Sequence, residues 1–116
     1  MPVQTINEIF FETLTKQRPA VQLYKKDGSW VGIALDEFER DVRHLAAQLR
    51  AMGVKKDDRV AILSENRPEW SQADFAILST CSVVVPIYST LLPWQIEYIL
   101  NDSGSSKYFS SWFAAP

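Results

Sequence analysis

The sequence predicts an α/β fold with parallel central strands, flanking helices and an initial β-hairpin. Three observations carry this. Two short apolar runs, residues 60–63 and 83–86, have the length of strands buried in a parallel sheet. Segments with apolar residues at three- and four-residue spacing precede, separate and follow these runs, as strand–helix alternation requires. An Asp27-Gly28 pair sits between two short apolar stretches, a strong hairpin signal.

Along the chain, Ile6, Ile9, Phe10 and Leu14 fall on one face of a short helix bounded by Pro19. Val21, Leu23 and Tyr24 suggest a strand, and Trp30, Val31 and Ile33 its return. Leu35, Phe38, Val42, Leu45, Leu49 and Met52 line a longer helix over 36–52, with Asp36 and Glu39 as its expected capping box. Gly53 suits the left-handed residue that ends this helix, and Val54 can pack back on its last turn. Pro68 suits the first turn of a helix over 68–80, whose inner face is Trp70, Ala73, Ile77 and Leu78. Pro86 is expected to end the second central strand by removing a donor. Ile96, Ile99 and Leu100 line a last helix over 93–101. Tyr108 and Phe109 begin a further strand, after which the pattern is lost. Two central strands and a hairpin are few for a stable sheet, so the sequence reads as the front of something larger.

The chain of 116 residues is one domain at most, and its 47 % apolar content suits a folded core rather than disorder. A formal net charge of −2, with Lys55 and Lys56 beside Asp57 and Asp58, gives no basic stripe and argues against nucleic acid. The apolar run 75–88 is too short to span a membrane and carries Ser79, Thr80 and Ser82, so no transmembrane segment is expected. Asn7, Glu8 and Glu12 stand where a signal peptide would be basic then apolar, so the expected location is cytoplasmic.

The search for chemistry is sparse. Gly28, Gly32, Gly53 and Gly104 are isolated and form no phosphate loop. His44 stands alone in the long helix and supports no metal site. Cys81, the single cysteine, reads as a buried, unreactive small hydrophobe. Asp57 and Asp58 read as a solvated loop, and Asp74 as a residue facing solvent. Trp30, Trp70, Trp94 and Trp112 are not interleaved with positive charge, so core or inter-domain packing is expected for Trp70 and Trp94. Ser64, Glu65, Asn66 and Arg67 follow the carboxyl end of one strand, and Ser89 and Thr90 that of the next, where α/β proteins place ligands. Capping and turn formation are the favoured explanation of these residues, since position alone does not make chemistry.

The stretch AILSENRPEWSQADFAILSTCSVVVPIYSTLLPWQIEYILNDSG, preceded by LDEFERDVRHLAAQLRAMGVKKDDRVAIL, resembles the early part of the adenylate-forming (AMP-binding) acyl-CoA synthetases. It is most similar to their long-chain fatty-acid:CoA ligase branch, and the resemblance covers residues 5 to 104. SENRPEW, VPIYSTL and IEYILNDSG at this spacing make it specific. The resemblance implies a partial N-terminal domain spanning 1–116, with 105–116 departing from the family pattern. It implies ATP-dependent activation of a fatty acid through an acyl-adenylate, then thioester formation with CoA, with Mg2+ accompanying the nucleotide. The family's phosphate loop, adenine contacts and catalytic lysine have no counterpart in this chain. No catalytic, cofactor-binding or metal residue is therefore assigned, no cofactor is expected for this piece alone, and it is expected to be inactive. Its implied partners are the missing remainder of the synthetase and, in the full-length protein, a fatty acid and peripheral contact with a membrane. Cys81 stands where the family usually has Gly or Ala. The competing readings are a non-enzymatic interaction or regulatory module derived from the same domain, and an unrelated small enzyme using Ser64 to Arg67 as a phosphate loop. Apolar Ile62, Val84 and Ile87, taken as faces toward the missing portion, favour the fragment over the module.

Overall fold

The computed structural model describes residues 5–16 and 20–110. Helix α1 (Ile6–Thr13) opens the fold, and its start is fixed by side chains. Thr5 Oγ1 accepts from the Glu8 N–H at 3.2 Å, and Glu8 Oε2 accepts from the Thr5 N–H at 3.0 Å, a reciprocal capping box. Pro19 lies outside the described residues.

Strands β1 (Gln22–Lys26) and β2 (Ser29–Ile33) form the expected antiparallel hairpin, with Tyr24 opposite Val31 and Lys25 opposite Trp30. Asp27 and Gly28 both take positive φ, 50° and 81°, the tight two-residue turn whose twist matches the strands. The hairpin is a sheet of its own.

Helix α2 (Leu35–Ala51) starts one residue earlier than expected, with Ala34 as its N-cap and no side-chain cap. The expected Asp36–Glu39 box is absent. Asp36 already lies inside the helix and accepts from the Glu37 N–H at 2.9 Å, while Glu39 pairs with Arg43 at 2.9 Å. The C-terminal reading holds. Gly53 has φ 93°, its N–H reaches the Arg50 carbonyl, and the Val54 N–H reaches that of Leu49, with Val54 buried.

Strands β3 (Arg59–Leu63), β4 (Val83–Ile87) and β5 (Lys107–Ser110) form a parallel sheet in the order β4-β3-β5. Val60 faces Val84 on one side and Lys107 on the other. The third strand that the sequence only hinted at is therefore real. Pro86 does not end β4; it sits within it, opposite Ile62. A strand at the sheet's edge among the described residues can carry a residue without an N–H.

Helix α3 (Pro68–Ser79) joins β3 to β4, and α4 (Pro93–Ser103) joins β4 to β5. Because these two crossovers run in opposite directions across the sheet, right-handed connections require opposite faces. The core agrees: Val60, Ile62, Val84 and Phe109 pack with α2 and α3, while Arg59, which shares the alternate face with Ala61 and Tyr108, donates from Nε to the Ser103 carbonyl of α4 at 2.7 Å. Ile62 and Ile87 are buried inside this chain, and Val84 is half-buried, so they do not mark the open faces. On β4, α4, β5 and the loop before α4, the exposed apolar groups are instead Val83, Tyr88, Leu92, Trp94, Tyr98 and Tyr108.

Three phenylalanines lock α1, α2 and α3 together. Phe10 stacks on Phe75 with centroids 4.5 Å apart, and Phe38 meets both rings edge-on at 5.8 and 6.2 Å. Ile6 and Ile9, expected on the inner face of α1, are exposed, because the helix turns Phe10 inward and leaves them on the rim of an apolar groove with Val21 and Leu35.

At the opposite end of the sheet from its carboxyl edge, loops are tied down by polar contacts. Thr80 and Ser82 are buried and share a hydrogen bond of 2.8 Å, and Ser82 Oγ donates to the Lys55 carbonyl at 3.1 Å. Asp58 Oδ2 accepts from the Lys55 N–H at 2.7 Å, so this acid is a turn-former rather than a merely solvated charge.

Cys81 departs most from expectation. It is exposed, not buried, and its φ is 59°. Its N–H reaches the Leu78 carbonyl and the Ser82 N–H that of Ile77, the same pattern by which Gly53 ends α2. Cys81 thus holds a left-handed seat that suits glycine, which the apolar neighbours in the sequence concealed.

Cys81→Gly is expected to raise stability by about 1 kcal/mol in denaturant melts, since a Cβ at positive φ is strained, whereas Cys81→Ala leaves it unchanged. The native thiol is expected to label without prior unfolding. Phe38→Ala is expected to cost about 3–5 kcal/mol, a large part of the total of a domain this size, read as a lower denaturation midpoint.

Candidate functional site

The carboxyl ends of β3 and β4 run into the two loops singled out by sequence, and the structure brings them together. Ser64, Glu65 and Asn66 face Tyr88, Ser89 and Thr90 across a cleft of about 550 Å³, floored by Trp70, Pro86 and Ile87. Helix geometry sets both walls. Arg67 is the extended N-cap of α3 and Pro68 fixes its first turn. Across the cleft, Gln95 Oε1 accepts from the Leu92 N–H at 2.9 Å and holds the start of α4, with Pro93 in its first turn.

Side-chain contacts define what the cleft offers. Ser64 Oγ donates to the Glu65 carbonyl at 2.9 Å, a local turn contact. Arg67 lines not this cleft but its neighbour on the α2–α3 side, where its Nε pairs with Glu69 Oε2 at 2.9 Å, so its charge is partly neutralised inside its own helix start. The wall is hydroxyl, amide and aromatic, with one carboxylate, that of Glu65. Such a surface can seat and orient a polar ligand edge against an apolar floor. It holds none of the four glycines, and among the described residues no group of three or more His, Cys, Asp or Glu is placed to hold a metal. The donor set therefore does not fit a triphosphate with magnesium, which calls for clustered N–H donors and free cations.

A second cleft of about 400 Å³ lies on the α2–α3 side and shares Ser64 and Trp70 with the first. Asp41, His44 and Gln48 of α2 reach it from one side, Phe109 and Ser110 of β5 from the other. Sequence reasoning missed it because it depends on β5 pairing beside β3. The spacing of Asp41, His44 and Gln48 along one helix stripe was its only sequence trace. His44 is exposed and lines this cleft; Trp70 is half-buried, and Trp94 is exposed rather than packed in the core. Trp112 lies outside the described residues.

Asp74 does not face open solvent as expected. It is half-buried on α3, and burial raises its pKa above the ordinary 3.8. No described helix is long and apolar enough to cross a membrane.

A carboxyl raised in the folded state favours folding most when protonated, below its unfolded pKa, and that contribution is lost as pH rises through the raised value. Asp74→Asn is therefore expected to be more stable than the parent at neutral pH. The gap should shrink as pH falls through the carboxyl range, measured by paired thermal melts; a gap that widens on acidification contradicts the assignment.

Residues 10–114 match the family described as AMP-binding enzyme. A long-chain-fatty-acid–CoA ligase of Mycobacterium bovis is 37 % identical over 94 residues, 79 % of this chain and 16 % of the relative. Surfactin synthase subunit 2 of Bacillus subtilis is 35 % identical over 104 residues, 88 % of this chain and 3 % of the relative. Among solved structures, the N-terminal subdomain of Klebsiella oxytoca NpsA in complex with 3-hydroxyanthranilyl-AMSN superposes with a TM-score of 0.77 at 25 % identity, over 94 % of this chain and 27 % of that one. The chain thus spans a small part of the length of each relative it matches.

Proposed function

The chain belongs to the AMP-binding enzyme family, and from that membership we propose that it is the N-terminal portion of a long-chain fatty-acid:CoA ligase. The observation that carries the finer reading is the 37 % identity to a long-chain-fatty-acid–CoA ligase across most of the described fold. In this reading the whole protein joins a fatty acid to the α-phosphate of ATP with release of pyrophosphate, then passes the acyl group from the adenylate to the CoA thiol with release of AMP. The role of this chain is architectural. Its parallel sheet carries the Ser64–Asn66 and Tyr88–Thr90 walls, and its exposed apolar groups on β4, α4 and β5 meet the remainder of the synthetase. The catalytic residues, the nucleotide and magnesium contacts and most of the acyl pocket lie outside it.

A second reading is supported by the 35 % identity to surfactin synthase subunit 2: an adenylating unit that is not a CoA ligase. DNA downstream of the Pro116 codon, read in all three frames, separates the two. A Ser/Thr/Gly-rich phosphate segment with only a small C-terminal domain after it fits the ligase, whereas an appended carrier domain fits the second reading.

The chain alone is expected to release no pyrophosphate with ATP, magnesium and palmitate, and to form no thioester when CoA is added. Turnover proportional to purified monomer, in a preparation free of host ligase, would overturn the architectural role and put chemistry in the cleft at Ser64 and Ser89.

A further inference from the structure

The cleft between α2, α3 and β5 contains a polar group that the fold leaves without a partner. Gln72 lines this cleft from α3 and is only 8 % exposed. Its carboxamide makes no hydrogen bond to any other described residue, although a buried amide is ordinarily paired. Unlike Gln22 Oε1, which is fully enclosed, the Gln72 amide keeps access to the outside, so a ligand can reach it. The apolar part of the lining is Leu45, Ile62, Ala73 and the rings of Trp70 and Phe109. The charged groups are already matched: Arg67 pairs with Glu69 at 2.9 Å, and Asp41 lies 3.7 Å from Arg40. A volume of about 400 Å³, a largely apolar lining and a few polar groups are the attributes of a small-molecule site.

We propose that this cleft binds a neutral aromatic amide, whose amide edge pairs with the Gln72 carboxamide while its ring lies against Trp70 and Phe109. A carboxamide presents N–H donors beside a carbonyl acceptor in one plane. Another amide offers the same two functions and satisfies both at once in a two-bond pair. A carboxylate can only accept, so it would leave the Gln72 carbonyl unmet. It would also meet a lining whose groups charged at neutral pH are two carboxylates, Asp41 and Glu69, against one guanidinium, Arg67. Each of those carboxylates already has its cation, so none is left for a positively charged ligand. A ring is favoured over an aliphatic chain because aromatic pairs in offset or edge-on arrangement add to simple burial. At 8 % exposure the amide admits a small molecule and not the flat surface of a protein partner. The inference does not rest on the ligase reading, because its test requires no turnover.

The probe is 2-naphthamide, titrated into the 116-residue chain while side-chain amide resonances are followed by heteronuclear NMR. The Gln72 signal is identified by its loss in Gln72→Met. In the unaltered chain, 2-naphthamide is expected to shift that signal to saturation. Its anionic analogue 2-naphthoate and its N–H-free analogue 2-acetylnaphthalene should each bind at least about tenfold more weakly. Gln72→Met keeps the bulk of the side chain and should weaken 2-naphthamide binding by at least about tenfold as well. Its melting midpoint should stay level or rise, because an unpaired buried amide is gone. No binding of 2-naphthamide, a smaller gap for either analogue, or unchanged affinity in Gln72→Met overturns the proposal. So does a lower melting midpoint in that variant, which would make Gln72 a structural group. The analogue series uses the unaltered chain, so a variant that fails to fold does not shield the proposal.

Discussion

Burial of β3 on both faces is the constraint on which the rest of this structure depends. Val60 and Ala61 are wholly inaccessible and Ile62 nearly so. A strand in that position must have both edges paired and both faces covered, since its backbone groups have no water to turn to. β4 and β5 supply the edges. The α2–α3 layer covers the Val60 and Ile62 face through the phenylalanine triad, and α4 packs along β4. The Arg59 side chain joins the two levels: it leaves the first residue of β3 and donates to the Ser103 carbonyl at the end of α4, where a cation is favoured by the helix dipole. The cleft follows from this arrangement, because the loops that leave β3 and β4 in the same direction must lie beside each other.

How legible this was depends on where each signal resides. Local patterns read well. Asp27-Gly28 specified the hairpin because only a few residues accept two successive positive φ values, and Gly53 with Val54 specified the end of α2 for the same reason. The strands at 60–63 and 83–86 were visible as β-branched runs. Properties set by distant partners read poorly. Cys81 looked buried because its neighbours in sequence are apolar, yet the helix end turns it outward. Asp74 looked solvated because it is charged, yet α3 is packed from several sides. Pro86 looked like a terminator, and only the edge position of β4 makes it acceptable. The two loops of the cleft were identified correctly as strand-end segments, but their meeting needed the strand order, and the Asp41–His44–Gln48 wall needed β5.

The two faces of the parallel sheet are finished to different degrees, and this bears on function. The α2–α3 side is a complete core with stacked rings and buried aliphatics. The α4 side buries no residue of α4 itself and leaves Val83 and Tyr108 uncovered. The cleft at the strand ends has walls of hydroxyl and amide groups with the Glu65 carboxylate among them.

The strand order also fixes a sequence of events during synthesis. β4 pairs with β3 from about two dozen residues away, but β5 pairs from roughly twice that distance and on the opposite edge. As the chain leaves the ribosome from its N-terminus, the hairpin, α2 and the β3–α3–β4 unit can assemble while one edge of the most buried strand still lacks its neighbour. That edge closes only when Lys107 to Ser110 emerge. Until then the nascent chain presents an open template of backbone donors and acceptors, and slow translation between α4 and β5 prolongs the interval in which another strand can capture it.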